Sequence, residues 1–193
     1  MNARTAPAFR RSEARERLLD TAAALFYAEG VRAVGVDRLI AEAGVTKATF
    51  YRHFPGKDEL VLAYLDRHDQ AVRQRLAAAA AAAPDPRSTL AVQVAALADE
   101  VCGPNFRGCP FVNAAAEYPD ADHPVRRLVA AHRHWFRDAL ADLLAACGHH
   151  DPTAGAAALL LLRDGAMVGG YLDGTDTRHH ITTTAAGLLA PLL

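Results

Sequence analysis

Cysteine is scarce in this 193-residue chain. Cys102, Cys109 and Cys147 are too few and too far apart for a disulfide framework or a spaced zinc ribbon. They are expected to be free thiols in a reducing compartment. Long hydrophobic runs are also missing. The apolar stretch over 154–162 is stopped by Arg163 and Asp164, well short of the ~18 residues that cross a bilayer, which argues against a membrane-spanning role. Glu13, Arg15, Glu16 and Arg17 interrupt any secretory segment near the start, so a cytoplasmic location is expected. β-Branched runs are few, and no Val/Ile/Thr alternation is long enough to read as a strand. Charge of one sign is not in excess overall: Lys+Arg number 21 against 22 Asp+Glu, a net charge of −1, which disfavours a nonspecific DNA-packing protein. Nucleophile-elbow, P-loop, dinucleotide and zinc-protease spacings are absent. The chain is therefore not expected to be an enzyme or to carry a cofactor. A small enzyme using Cys109 or a His/Glu pair is the weakest of the alternatives.

What the sequence does have is apolar surface, at 51% hydrophobic residues rich in Ala and Leu, and a hidden charge asymmetry. Residues 1–57 carry 10 basic and 6 acidic side chains, whereas 58–193 carry 11 and 16, so a polyanionic partner is expected at the N-terminal third. Helical periodicity broken by Gly and Pro predicts an all-α fold of about nine helices. The first is expected over 12–28, capped by Ser12, with Leu18, Ala22, Leu25 and Phe26 inward and Gly30 beyond its end. The second, over 36–43, turns Leu39 and Ile40 inward and stops at Gly44. The third spans 47–53 with Thr46 as N-cap and ends before Pro55-Gly56. A long linking helix is expected over 57–83. Four acid-, Cys- or His-Pro pairs then read as helix starts: Asp85-Pro86, Cys109-Pro110, His123-Pro124 and Asp151-Pro152. In the helix after His123, Leu128, His132, Trp135, Ala139 and Leu143 are expected to share one face. Thr175 or Asp176 is expected to cap the last helix.

Two short helices joined by a tight Gly turn, the second displaying polar side chains, match the helix-turn-helix that places one helix in the DNA major groove. Thr46, Lys47, Ala48 and Thr49 lie at the N-terminal end of that helix, where side chains meet base edges. Lys47 suits a guanine and the Thr49 methyl a thymine. Tyr51 and His53 are placed to donate to phosphates, while Phe50 and Phe54 turn back to the core. Lys57 adds a cation beside the exposed N–H groups of the next helix.

The segments ERLLDTAAALFYAEG and VDRLIAEAGVTKATFYRHFPGKDEL resemble the TetR family of transcriptional regulators. The Gly44-Val45 turn, Phe50-Tyr51, His53-Phe54 and Lys57 fall where that pattern has them. The resemblance covers about the first 60 residues. It implies that Tyr51 and Lys57 hold phosphates, that Lys47, Ala48 and Thr49 approach bases, and that Arg52 belongs to the same DNA-facing set. Gly35 departs from the pattern, which commonly has a Thr or Ser cap there. Helix capping by Gly is weaker by only a few tenths of a kcal/mol, so the second helix is expected to survive without that side-chain contact. The expected division is a DNA-binding domain over 1–56 and an effector-binding and dimerisation domain over 57–193.

The resemblance also implies that the second domain binds a small organic inducer and dimerises, without assigning residues to either task. Cys109, Asn113 and Glu117 recur at i, i+4 and i+8 and are expected to share an inward face. His132 and Trp135 are expected opposite, with Phe106, Phe111, Met167 and Tyr171 as apolar walls of a pocket. His132 and His134 point to different sides of a helix, and His149-His150 and His179-His180 are adjacent pairs, so no metal site is expected. Cys109 at a helix N-terminus near Arg107 gives an alternative, a thiol that senses redox state. The last two helices, about 152–171 and 175–193, are apolar nearly all round. Gly165, Gly169 and Gly187 permit close approach, so a symmetric copy is expected to cover them, with Ile181, Leu188, Leu189, Leu192 and Leu193 contributing. A homodimer would present two recognition helices to a palindromic operator on double-stranded DNA. The reading is thus a ligand-responsive repressor released by its effector.

Overall fold

A computed structural model describes residues 13–173 and 177–189. Ser12, Thr175, Asp176, Leu192 and Leu193 lie outside the described residues, as do the side chains of Leu188 and Leu189. The described residues form nine α-helices: α1 (Glu13–Glu29), α2 (Val36–Glu42), α3 (Lys47–His53), α4 (Lys57–Ala82), α5 (Pro86–Val101), α6 (Pro110–Glu117), α7 (Pro124–Ala146), α8 (Pro152–Leu172) and α9 (Thr177–Leu189). They fall into two compact units divided between Tyr64 and Leu65.

The first unit holds α1, α2, α3 and the first two turns of α4. Its core is built from Leu18, Leu19, Ala22, Phe26, Leu39, Phe50, Phe54, Leu60 and Tyr64, all buried. Phe26 meets Tyr64 edge-on at 5.8 Å between ring centres. Leu25 and Ile40, expected inward, are only half-buried, and Leu19 takes core space instead. The break at Pro55-Gly56 ends a helix without ending this core, because Leu60 and Tyr64 beyond it are still buried. The compact unit therefore extends two helical turns past 56.

The second unit holds the rest of α4 and the remaining five helices. Each X-Pro pair begins a helix with proline in its first turn, where the missing N–H would have no intrahelical partner anyway. Asp85 accepts from Ser88 N at 2.8 Å, Asp151 from Ala154 N at 3.0 Å, and His123 Nδ1 from Val125 N at 3.3 Å. Cys109 starts α6 with no side-chain cap. A cluster of Leu90, Leu140, Leu144, Cys147, Ala156 and Leu159 joins α5, α7 and α8. The buried stripe of α7 is Val125, Val129, His132, Leu140 and Leu144. This corrects the expected face: only His132 is shared, and Leu128, Trp135, Ala139 and Leu143 are half-buried along its margin. α7 is apolar on both flanks of the stripe, so the sequence pattern alone does not choose between neighbouring registers. At Gly170, α5 and α8 approach so closely that an added Cβ would stand 2.6 Å from Val101 Cβ.

Candidate functional site

The helix-turn-helix is fixed at its turn by Gly44. Its φ of +60° is in the left-handed region, and two hydrogen bonds close the end of α2, Gly44 N to Ala41 O and Val45 N to Ile40 O, both 3.1 Å. Thr46 then caps α3, its Oγ1 accepting from Thr49 N at 3.1 Å and lying 2.9 Å from Thr49 Oγ1. Thr46 thus sets the start of the recognition helix as well as standing at its tip. Phe50 and Phe54 are buried, which rotates the opposite side of α3 outward. Thr46, Lys47, Ala48, Tyr51 and Arg52 are exposed, and Thr49, His53 and Lys57 half-buried, so the eight proposed DNA-facing residues gather on and beside one short helix.

Lys47 Nζ lies 3.8 Å from Asp37 Oδ1 with both side chains largely exposed. Such a pair is weak in water and releases the lysine to a stronger anion. At the start of α2, Gly35 is in extended backbone with no side-chain cap. On the outer side, Arg38 forms an ion pair with Glu29 that ties α2 to α1.

In the second unit the expected pocket residues are not where the cavity is. A cavity of about 710 Å³ lies among α4, α5, α7, α8 and α9, and none of Phe106, Cys109, Phe111, Asn113, Glu117, His132, Trp135, Met167 and Tyr171 lines it. Asn113 is exposed and donates to Arg107 O at 2.8 Å, and Glu117 is half-buried. Asn113 is therefore exposed although Cys109, one turn before it, is buried. Met167 is core, while Tyr171 is exposed beneath the Arg107 guanidinium, 5.2 Å from its ring centre. Phe106 is half-buried near Gly170. Arg163 brings a cation to Cys109, with both terminal nitrogens 3.8 Å from Sγ.

His132, Phe111 and Trp135 do come together, as structure. The His132 ring stacks on Phe111 at 3.7 Å, and its Nδ1 lies 2.6 Å from Asp69 Oδ1. Arg73 Nε donates to the other Asp69 oxygen at 2.7 Å, and its guanidinium lies over Trp135 at 3.9 Å. Burial pushes the His132 pKa down against the pull of Asp69. Burial would raise the Asp69 carboxyl, but hydrogen bonds from Arg73 and His132 hold it below its ordinary value. The stable arrangement at neutral pH is a carboxylate accepting from a neutral imidazole, which ties α7 to α4.

The cavity wall is mainly aliphatic, with Val72, Leu90, Val94, Leu97, Leu159, Leu162 and Ile181 beside Phe136. Its polar groups are His68, Arg75, Gln93, Asp99, Glu100 and Arg163. His68, Val72, Arg75, Ala78 and Ala79 come from α4, the linking helix. The sequence signal for this site was Arg163, an isolated cation behind the apolar run 154–162. Among the described residues, no three His, Cys, Asp or Glu side chains converge as a metal site, and no helix is long and apolar enough to cross a membrane.

Comparison with known proteins matches two separate segments of the chain. Residues 18–64 match the family of bacterial regulatory proteins called tetR, and residues 87–177 match the tetracyclin repressor-like C-terminal domain. The transcriptional regulator LmrA of Bacillus subtilis is 29% identical over 126 residues, covering 64% of this chain and 67% of that protein. The transcriptional activator FasR of Mycolicibacterium smegmatis is 45% identical over 58 residues, 30% of this chain and 26% of FasR. A TetR-family transcriptional regulator from Streptomyces coelicolor has a crystal structure that superposes with a TM-score of 0.90 at 47% identity, covering 94% of this chain and 97% of that one. A putative regulator from Streptomyces avermitilis gives 0.80 at 31% identity, covering 93% and 97%. With a helix-turn-helix whose core aromatics turn its polar face outward, and with likeness along nearly the whole chain, this protein belongs to the TetR family of helix-turn-helix transcriptional regulators.

Proposed function

We propose that the chain is a ligand-responsive repressor that binds a palindromic operator as a homodimer and leaves it when a small organic effector occupies the second unit. The observation that carries this reading is the apolar cavity of about 710 Å³, a size suited to a small organic molecule. Five of its lining residues lie on α4, whose first residue, Lys57, is one of the proposed phosphate contacts. An effector that favours one setting of α4 over another changes DNA affinity by its differential affinity for the two states. The proposed DNA-facing set is Thr46, Lys47, Ala48, Thr49, Tyr51, Arg52, His53 and Lys57, with the first four toward bases and the others toward phosphates.

The proposed dimer surface is the outer face of α8 together with α9. Ala154, Ala157, Leu161, Gly165, Val168 and Leu172 recur at three- and four-residue steps and are all exposed. Leu161 is 72%, Val168 54% and Leu172 69% accessible, an apolar stripe of the kind a symmetric copy covers. An added Cβ at Gly165 or Gly187 meets nothing within 4 Å, which leaves room for a partner helix.

Titration of the full chain onto a bound genomic fragment tests the reading. Tyr51→Phe with Lys57→Ala is expected to weaken binding evenly across sequences and to lower the salt slope by about 1, the share of the lost Lys57 cation. Unchanged operator affinity in that variant, still folded and dimeric, contradicts the assignment.

A further inference from the structure

We infer that the cavity of the second unit takes an amphipathic organic anion, its carboxylate on Arg163 and its apolar body against Leu90, Val94 and Leu159. The inference rests on the effector reading and adds the chemical class of the ligand. The Arg163 side chain is only 14% exposed, yet its contacts are soft. Both terminal nitrogens reach the Cys109 sulfur at 3.8 Å, and the guanidinium lies 5.3 Å from the Phe136 ring centre. Asp164 Oδ1 stands 3.7 Å away, but that carboxylate is already held by Arg133 through two hydrogen bonds of 3.0 and 2.6 Å. A guanidinium has five donors and a thiol is a weak acceptor, so this cation has only a share of one carboxylate, which Arg133 holds more closely. A buried charge in that condition is costly, and a ligand carboxylate relieves the cost through paired, charge-assisted hydrogen bonds.

The lining carries both signs, Arg75 and Arg163 with Asp99 and Glu100, and the two cations both act on His68. Arg75 lines the same cavity two turns along α4 from His68. Burial, helped by the fields of Arg75, His132 and Arg163, pushes the His68 pKa down to about 4, so its imidazole is neutral at pH 7 and offers a hydrogen bond without competing for the anion. The two acids of the lining are placed differently. Asp99 is an exposed partner of Arg178, and Glu100 precedes Val101, which packs at Gly170. Gly170 is seven residues, or ~10 Å of helix rise, along α8 from Arg163. The cavity is far larger than a carboxylate group and most of its remaining wall is apolar, so the bulk of the ligand is apolar.

Calorimetric titration of the full-length protein with decanoate, decan-1-ol and decylammonium tests this. Decanoate is expected to bind about tenfold or more tighter than decan-1-ol, with decylammonium weakest. Arg163→Gln is expected to erase the difference between acid and alcohol. Arg163→Lys, which keeps the charge, is expected to retain part of it and serves if the Gln variant fails to fold. Equal or tighter binding of the alcohol or the amine, no binding of decanoate, or a preference that persists in Arg163→Gln overturns the inference. Operator release is measured separately. A neutral compound that fills the cavity and releases DNA overturns the anion assignment but leaves the effector reading intact. Decanoate that binds with the expected preference and leaves operator affinity unchanged upholds the anion site and refutes the effector reading.

Discussion

Gly35 and Gly44 flank α2 and differ in what a side chain would meet. Gly35 has φ −79° and ψ 157°, extended backbone open to any residue, and an added Cβ touches nothing within 4 Å. A serine there gains an N-cap hydrogen bond and loses unfolded-state freedom, so Gly35→Ser is expected to raise stability by about 0.5 kcal/mol in urea titration. Gly44 also has open space around it, but its φ is +60°. Gly44→Ala is therefore expected to cost roughly 1–2 kcal/mol from backbone conformation alone. A shift of the same sign for both substitutions contradicts this account of the turn. His68 makes a second residue-scale prediction. Its folded pKa, about 4, lies below its unfolded value, so the unfolded chain binds the proton first as pH falls. The resulting loss of stability begins near pH 6.5 and grows until about pH 4. At pH 5 it is of the order of 2 kcal/mol, and His68→Gln is expected to remove that part of the acid sensitivity, as read from urea midpoints at pH 7 and pH 5. An unchanged pH slope in the variant contradicts the burial argument.

At the scale of elements, helix starts were legible because their chemistry is local. Asp85, Asp151 and His123 each stand before a proline and accept from a first-turn N–H. The capping Thr46 and the left-handed Gly44 were legible for the same reason. Helix faces were less so. On α7, apolar residues flank the true stripe, and contacts with α5, α6 and α8 select Val129, Leu140 and Leu144 over Leu128, Ala139 and Leu143. α8 buries Ala156, Leu159, Ala166 and Met167 and leaves Leu161, Val168 and Leu172 outward. If a second copy covers that stripe, Leu161→Asp with Val168→Asp yields a helical monomer in sedimentation analysis. A double variant that sediments as the unmodified chain does places any self-association elsewhere.

At the scale of the whole molecule, the two units differed in how much the sequence disclosed. The DNA-facing set lies within twelve residues, Thr46 to Lys57, so its geometry follows from one turn and one helix. The cavity draws residues from five helices between His68 and Ile181, and that convergence depends on how the helices pack. The helical spacing of His132 and Trp135 points to a pocket around them. These instead join Asp69, Arg73 and Phe111 in a network that ties α7 to α4 and α6. Selecting genomic fragments with the purified full-length protein at physiological salt, and sequencing what is retained, tests whether α3 confers sequence-specific recognition. The account predicts enrichment of one or a few palindromes, lost in the Tyr51→Phe, Lys57→Ala variant. Retention of fragments without a shared palindrome, by protein shown to be folded and dimeric, would contradict it.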